Sequence, residues 1–204
     1  MILIRLLQLV SLSTTCLSLQ PCLPQPRQKR WIIPAYATSI VTVTSIWPAF
    51  HWLLTGDVGE SAYTVAITLF LQNYLLVESL YLGTYFPKEC PILEFWIHHP
   101  LFIILFQAIL LTGNSGFMRP FFILELPTAI RSIGQLLLHM RNDTLFGLSF
   151  FLFRVIWPFY VIWHIFSAIP SWSIIPICLM QTAHCYWFYI FCKKTLPRPQ
   201  ILAT

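Results

Sequence analysis

Apolar stretches dominate this chain: residues 1–20, 31–54, 63–86, 95–112, 117–139, 144–168 and 172–192. Crossing about 30 Å of hydrocarbon takes around 20 residues of α-helix, and each stretch is near that length. None of them alternates polar and apolar residues, as a membrane-spanning barrel strand would. The segments between them read as true loops: "PCLPQPRQKR", "TGDVGES", "PKEC", "TGNSG" and "MRND" carry the prolines, glycines and charges that punctuate helices. The pattern predicts an all-α, polytopic transmembrane helical bundle of six to seven spans. The count is six if residues 1–20 are removed as a signal peptide and seven if they stay as an anchor; we expect them to stay.

Composition agrees. Hydrophobic residues make up 57% of the 204 and charged residues only 9%, against about 25% charged in a soluble domain. Mean hydropathy is +0.73. The outer surface is therefore expected to face lipid, and the formal charge of +5 reports sidedness rather than a nucleic-acid partner. Arg27, Lys29 and Arg30, then His139 and Arg141 with Asp143, then Lys193, Lys194 and Arg198 all fall on one side of the bundle. Asp57, Glu60 and a single Arg119 fall on the other. Basic residues mark the cytoplasmic side, so the C-terminus is expected there and the N-terminus in the lumen. The "NDT" at Asn142 is formally a glycosylation acceptor, but this topology leaves it cytosolic and unused.

Six cysteines (Cys16, Cys22, Cys90, Cys178, Cys185 and Cys192) form no CxxC pair and no grouping with histidine. Cys178, Cys185 and Cys192 are seven apart and share one helix face as soft packing residues. No metal and no cofactor is expected.

Ionisable residues within spans are costly and usually face a cavity or a partner. Tyr74, Glu78, Tyr81 and Tyr85 are spaced four, three and four apart, which puts all four on one face of the third span. In the fifth span, Glu125 and Arg131 flank Pro127, which is expected to kink the helix. Arg154 lies near the midplane of the sixth, about 15 Å from its cytoplasmic start. Glu78 and Arg131 should lie at a similar level, so acid and base are expected to pair. His98 and His99 open the fourth span, about 5 Å deep. Consecutive helix positions point about 100° apart, so the two cannot easily grip one metal. One is expected to face a cavity and the other the headgroup layer, and an imidazole there is suited to general-base work near neutral pH.

These elements, in this order, resemble the TLC domain, the multi-span fold shared by ceramide synthases and translocating-chain-associating membrane proteins. "YLLVE" from Tyr74 to Glu78 resembles the family's tyrosine with an acid four residues on, and "IHHP" its di-histidine at a helix start. "ELPT" from Glu125, "SFFLFR" ending at Arg154 and "LMQTAHCYWFYIFCK" resemble later elements. The resemblance covers residues 28–194, after an N-terminal hydrophobic helix and Pro/basic linker over 1–27 and before a short tail over 195–204. It departs from the synthases at their second acidic motif. Glu125 stands at the first acid's position, but Thr128 stands at the second, and Asn73 stands where many relatives have glycine.

The resemblance therefore implies the non-synthase branch. We expect a multi-pass protein of the endoplasmic reticulum that acts in membrane lipid homeostasis by holding a phospholipid or sphingolipid among its helices. The alternative is an acyl-CoA-dependent N-acyltransferase resembling ceramide synthase. There His98 or His99 would deprotonate an amine attacking a thioester, with Glu78 or Glu125 orienting the ring. A transporter is a third reading, and the absence of an inverted repeat counts against it.

Overall fold

The computed structural model describes residues 2–23, 26–89, 96–166 and 171–195. Within them every regular element is a helix. Its elements are α1 (Ile2–Leu19), α2 (Pro26–Lys29), α3 (Ile32–Thr55), α4 (Ala62–Tyr85), α5 (His99–Leu111), a 3-10 helix (Ser115–Glu125), α6 (Leu126–Leu136), α7 (Asp143–Phe150), α8 (Trp157–Ile165) and α9 (Ser171–Thr195). Five helices are long and apolar enough to cross a membrane: Leu3–Cys22, Ile32–Thr55, Ala62–Tyr85, Asp143–Ile165 and Ser171–Thr195. The fourth apolar run gives a shorter helix, Trp96–Leu111. Cys90, Arg198 and the tail beyond Thr195 lie outside the described residues.

Local chemistry sets the helix ends. Gly56 closes α3 in the left-handed region, at φ 67°, where a side chain would be strained. Ser61 then opens α4 with a reciprocal cap. Its Oγ accepts the Thr64 N–H at 3.2 Å, and its own N–H donates to Thr64 Oγ1 at 3.0 Å. Asn142 caps α7 by accepting the Leu145 N–H at 2.8 Å.

The fifth run differs from expectation. Residues 117–139 do not form one helix kinked at Pro127; an 11-residue 3-10 helix ends at Glu125 and α6 starts at Leu126. Pro127 falls in the first turn of α6, where its missing N–H leaves no bond unmade. The 3-10 helix passes so close to the 56–61 loop that a Cβ at Gly116 would collide with the Val58 carbonyl.

Polarity is arranged inside out. Leu3, Val43, Trp47, Leu54, Leu111, Trp163 and Ile175 stand exposed, while Thr38, Ser45, Thr64, Thr68, Gln72 and Asn73 are buried. That is the arrangement for a hydrocarbon solvent. α3 runs through the middle, touching α1, α4, α6 and the 3-10 helix. One core joins α1, α3, α4 and α5 around Val41, Leu71 and Phe106. A second joins α3, the 3-10 helix and α8 around Trp52, Phe121 and Val161.

Candidate functional site

Two adjoining spaces of different character lie among the helices. The outer one, a vestibule of about 600 Å³, is lined by Trp31, Thr128, Arg131, Gln135, Arg141, Asn142, Asp143 and Lys194. The start of α3, the α6–α7 connection and the end of α9 thus meet at its mouth. The inner one, a narrow cavity of about 80 Å³, is lined by Leu71, Phe102, Leu105, Phe106, Phe117, Phe121 and Met180 among others. Five residues line both: Tyr74, Leu75, His98, Glu125 and Arg154. They form the waist between the two spaces.

Arg154 organises the waist. It sits in a π-helical turn, Phe151–Ile156, between α7 and α8. Its Nε donates to the Leu124 carbonyl at 2.9 Å and its Nη2 to Thr128 Oγ1 at 2.5 Å. The same Nη2 lies 3.5 Å from Glu125 Oε2. Arg154 therefore pairs with Glu125, while Glu78 pairs elsewhere. The π turn leaves the Val155 carbonyl free to accept Gln181 Nε2 at 3.0 Å. α9 thereby fixes the turn that aims the guanidinium.

The two histidines part company. His99 is buried, with Nδ1 3.0 Å from Ser79 Oγ and Nε2 3.7 Å from Glu78 Oε2. Both ring nitrogens are committed to α4. His98 turns into the waist, its ring 4.5 Å from that of Phe102 and 5.2 Å from that of Trp187.

The tyrosine stripe separates by depth. Tyr74 reaches the waist. Tyr81, about 10 Å further along α4, donates to the Lys29 carbonyl at 3.1 Å and ties down the α2 segment. Tyr85 stands exposed. The Arg131 guanidinium lies over the rings of Trp31 and Phe146, 5.1 and 5.5 Å from their centroids.

Sequence reading missed three groups. His184 is 2% exposed, lines the inner cavity, and its Nδ1 has no hydrogen-bond partner. A lone histidine in an aromatic-rich helix has no spacing partner to betray it. A polar layer pins α1: Arg5 Nη2 donates to Gln72 Oε1 at 3.1 Å and Gln107 Oε1 at 3.0 Å, and Asn73 donates to Gln8 at 2.9 Å. At the opposite end from the vestibule, Arg119 holds the 56–61 loop through Asp57 Oδ2 and the Gly59 carbonyl. The Gly59 N–H and Arg119 beside Asp57 hold its carboxyl below the usual carboxylate range.

Among the described residues, no cluster of three or more His, Cys, Asp or Glu could hold a metal ion, and the described cysteines are free thiols. No protein-family model, no curated protein and no solved structure matches this chain.

Proposed function

We propose that this protein takes a membrane lipid into its helical bundle and acts in membrane lipid homeostasis without making or breaking a covalent bond. The observation that carries this is the meeting of a polar vestibule and an apolar cavity at a charged waist. An amphiphile fits that sequence of environments with its polar end outward and its chain inward. The order of motifs supports a TLC-like bundle of six to seven spans, and the basic residues at the vestibule mouth support a cytosolic vestibule and C-terminus. The endoplasmic reticulum is the membrane this reading assigns. Lipids retained through purification in mild detergent, identified by native mass spectrometry, test it. A stoichiometric lipid is expected; protein that is folded and lipid-free would count against it. Digestion of a C-terminal tag by protease outside sealed microsomes is expected, and protection there would overturn the orientation.

One observation favours the enzymatic alternative. His99, held between Ser79 and Glu78, has the oriented look of a general-base unit. Yet both its nitrogens are occupied, and Thr128, at the position of the missing second acid, is a ligand of Arg154. Purified protein given acyl-CoA and a panel of amines should form no amide; amide formation lost in His98→Ala or His99→Ala would promote this alternative.

A further inference from the structure

Resting on the lipid-binding reading, we propose that the vestibule selects a lipid whose headgroup carries net negative charge, over zwitterionic and neutral lipids. Charge is the first observation. Four basic side chains line the vestibule, Arg131, Arg141, Arg154 and Lys194, against two acids, Glu125 and Asp143. Both acids are already engaged. Asp143 takes two hydrogen bonds from Arg141, each 2.9 Å, and Glu125 Oε2 lies 3.5 Å from Arg154 Nη2. With its histidines neutral, four bases less two acids leave the described lining two positive charges in excess.

These charges arrive from separate elements: Arg131 from α6, Arg141 from the α6–α7 connection and Lys194 from the last turn of α9. Basic residues that only marked one side of the membrane could point anywhere on it. These converge on a single concavity of about 600 Å³, within the size range of ligand sites. Like charges gathered around one such space repel, and an anion placed among them relieves the repulsion.

The aromatic rings give the second observation. An ammonium headgroup is recognised by a seat over ring faces, and here the protein's own cations take such seats. The Arg131 guanidinium lies 5.1 Å from the Trp31 centroid and 5.5 Å from that of Phe146. Arg30 lies 5.2 Å from Trp31, and Arg154 5.7 Å from Phe150. Trp187 packs against the imidazoles of His98 and His184. A zwitterionic headgroup would therefore bring its ammonium among like charges that already hold the rings. A neutral headgroup would leave the excess charge unanswered.

The test uses the full chain, stripped of lipid in mild detergent, and native mass spectrometry. Dioleoyl phosphatidic acid, phosphatidylglycerol, phosphatidylcholine and diacylglycerol are offered in equal amounts, so that only the headgroup differs. Both anionic lipids are expected to be retained about tenfold or more over phosphatidylcholine, within what two nearby basic residues give at a membrane surface. Arg131→Gln with Lys194→Gln should bring that ratio close to one while phosphatidylcholine uptake holds. Arg131→Lys with Lys194→Arg, which keeps both charges, should preserve it. So should Lys29→Gln with Lys193→Gln, basic residues outside the vestibule lining. An unchanged ratio in the Arg131 and Lys194 glutamine pair, or an equal loss in the Lys29 and Lys193 pair, would overturn the proposal. Equal retention of all four lipids, or preference for phosphatidylcholine, would overturn it and leave lipid binding standing. Loss of the preference in inorganic phosphate but not in chloride of equal ionic strength would reassign the site to a free anion, and so overturn it too. Folded protein that retains none of the four lipids would remove both readings.

Discussion

Replacing Arg154 by alanine removes three contacts at once. The Leu124 carbonyl and Thr128 hydroxyl lose a donor, and Glu125 loses its counter-charge. The side chains of Arg154 and Glu125 are only 12% and 21% exposed, so the abandoned carboxylate cannot simply turn to water. Breaking a buried pair costs about 3–5 kcal/mol, and the partial exposure of Glu125 points to the lower end, about 3 kcal/mol. For a chain of this size, each kcal/mol moves the melting temperature by roughly 2–4 °C, so a fall of about 6–12 °C is expected. Thermal melts in detergent followed by size-exclusion fluorescence would read it. Two double variants then separate the partners. Arg154→Leu with Glu125→Leu should regain more than half of the loss, because both ends of the pair go together. Arg154→Leu with Glu78→Leu should fall further than Arg154→Leu alone, because it also breaks the Glu78–His99 contact. Recovery in the Glu78 double variant rather than the Glu125 one would refute the pairing.

His99→Ala should destabilise by about 1–3 kcal/mol, since Ser79 and Glu78 lose their buried partner. His98→Ala should leave the melt nearly unchanged and reduce retained lipid; the reverse assignment of these effects would contradict the placement of the rings. Arg5→Leu should lower the yield of folded protein by leaving the Gln72 and Gln107 carbonyl oxygens short of a donor. Unchanged yield and melting in that variant would show that the layer contributes nothing. The Asp57 carboxyl has its folded-state pKa depressed below the unfolded value of about 3.9. Its stabilising effect is therefore fully present above about pH 4 and lost as pH falls through the folded value. The gap in melting temperature between the native chain and Asp57→Asn should be constant from about pH 5 to 7 and close towards about pH 3. A gap that widens on acidification would reverse the sign.

The positions of the helices were legible because apolar length and loop chemistry act locally. "TGDVGES" holds both the left-handed Gly56 that stops α3 and the Ser61 that starts α4. The shared face of Tyr74 and Glu78 follows from helical spacing alone. What could not be read was registration between helices. Counting 1.5 Å per residue ranks residues along one helix but gives no common zero for two. Glu78 therefore looked as good a partner for Arg154 as Glu125. The 3-10 course of Ser115–Glu125 also gives the first half of that run a longer rise than the α-helix expected there. Neutral amides carried the other surprise. Gln8, Gln72, Asn73 and Gln107 tie α1 to the bundle without a charge to mark them.

The π turn at Phe151–Ile156 has a consequence for the long rod it interrupts. A π turn accommodates about one residue more than the α path it replaces. One extra residue is about 100° of rotation, so α7 and α8 run on one axis with their faces out of phase. Before the turn, Gly147 meets Phe191 of α9; after it, Val161 and Ile165 meet Trp52 of α3. The turn works as a vernier, letting a single rod serve two neighbours on different bearings. Along residues 143–165, substitution tolerance should follow two helical rhythms that reset at Phe151, and deleting one residue inside the turn would merge them into one.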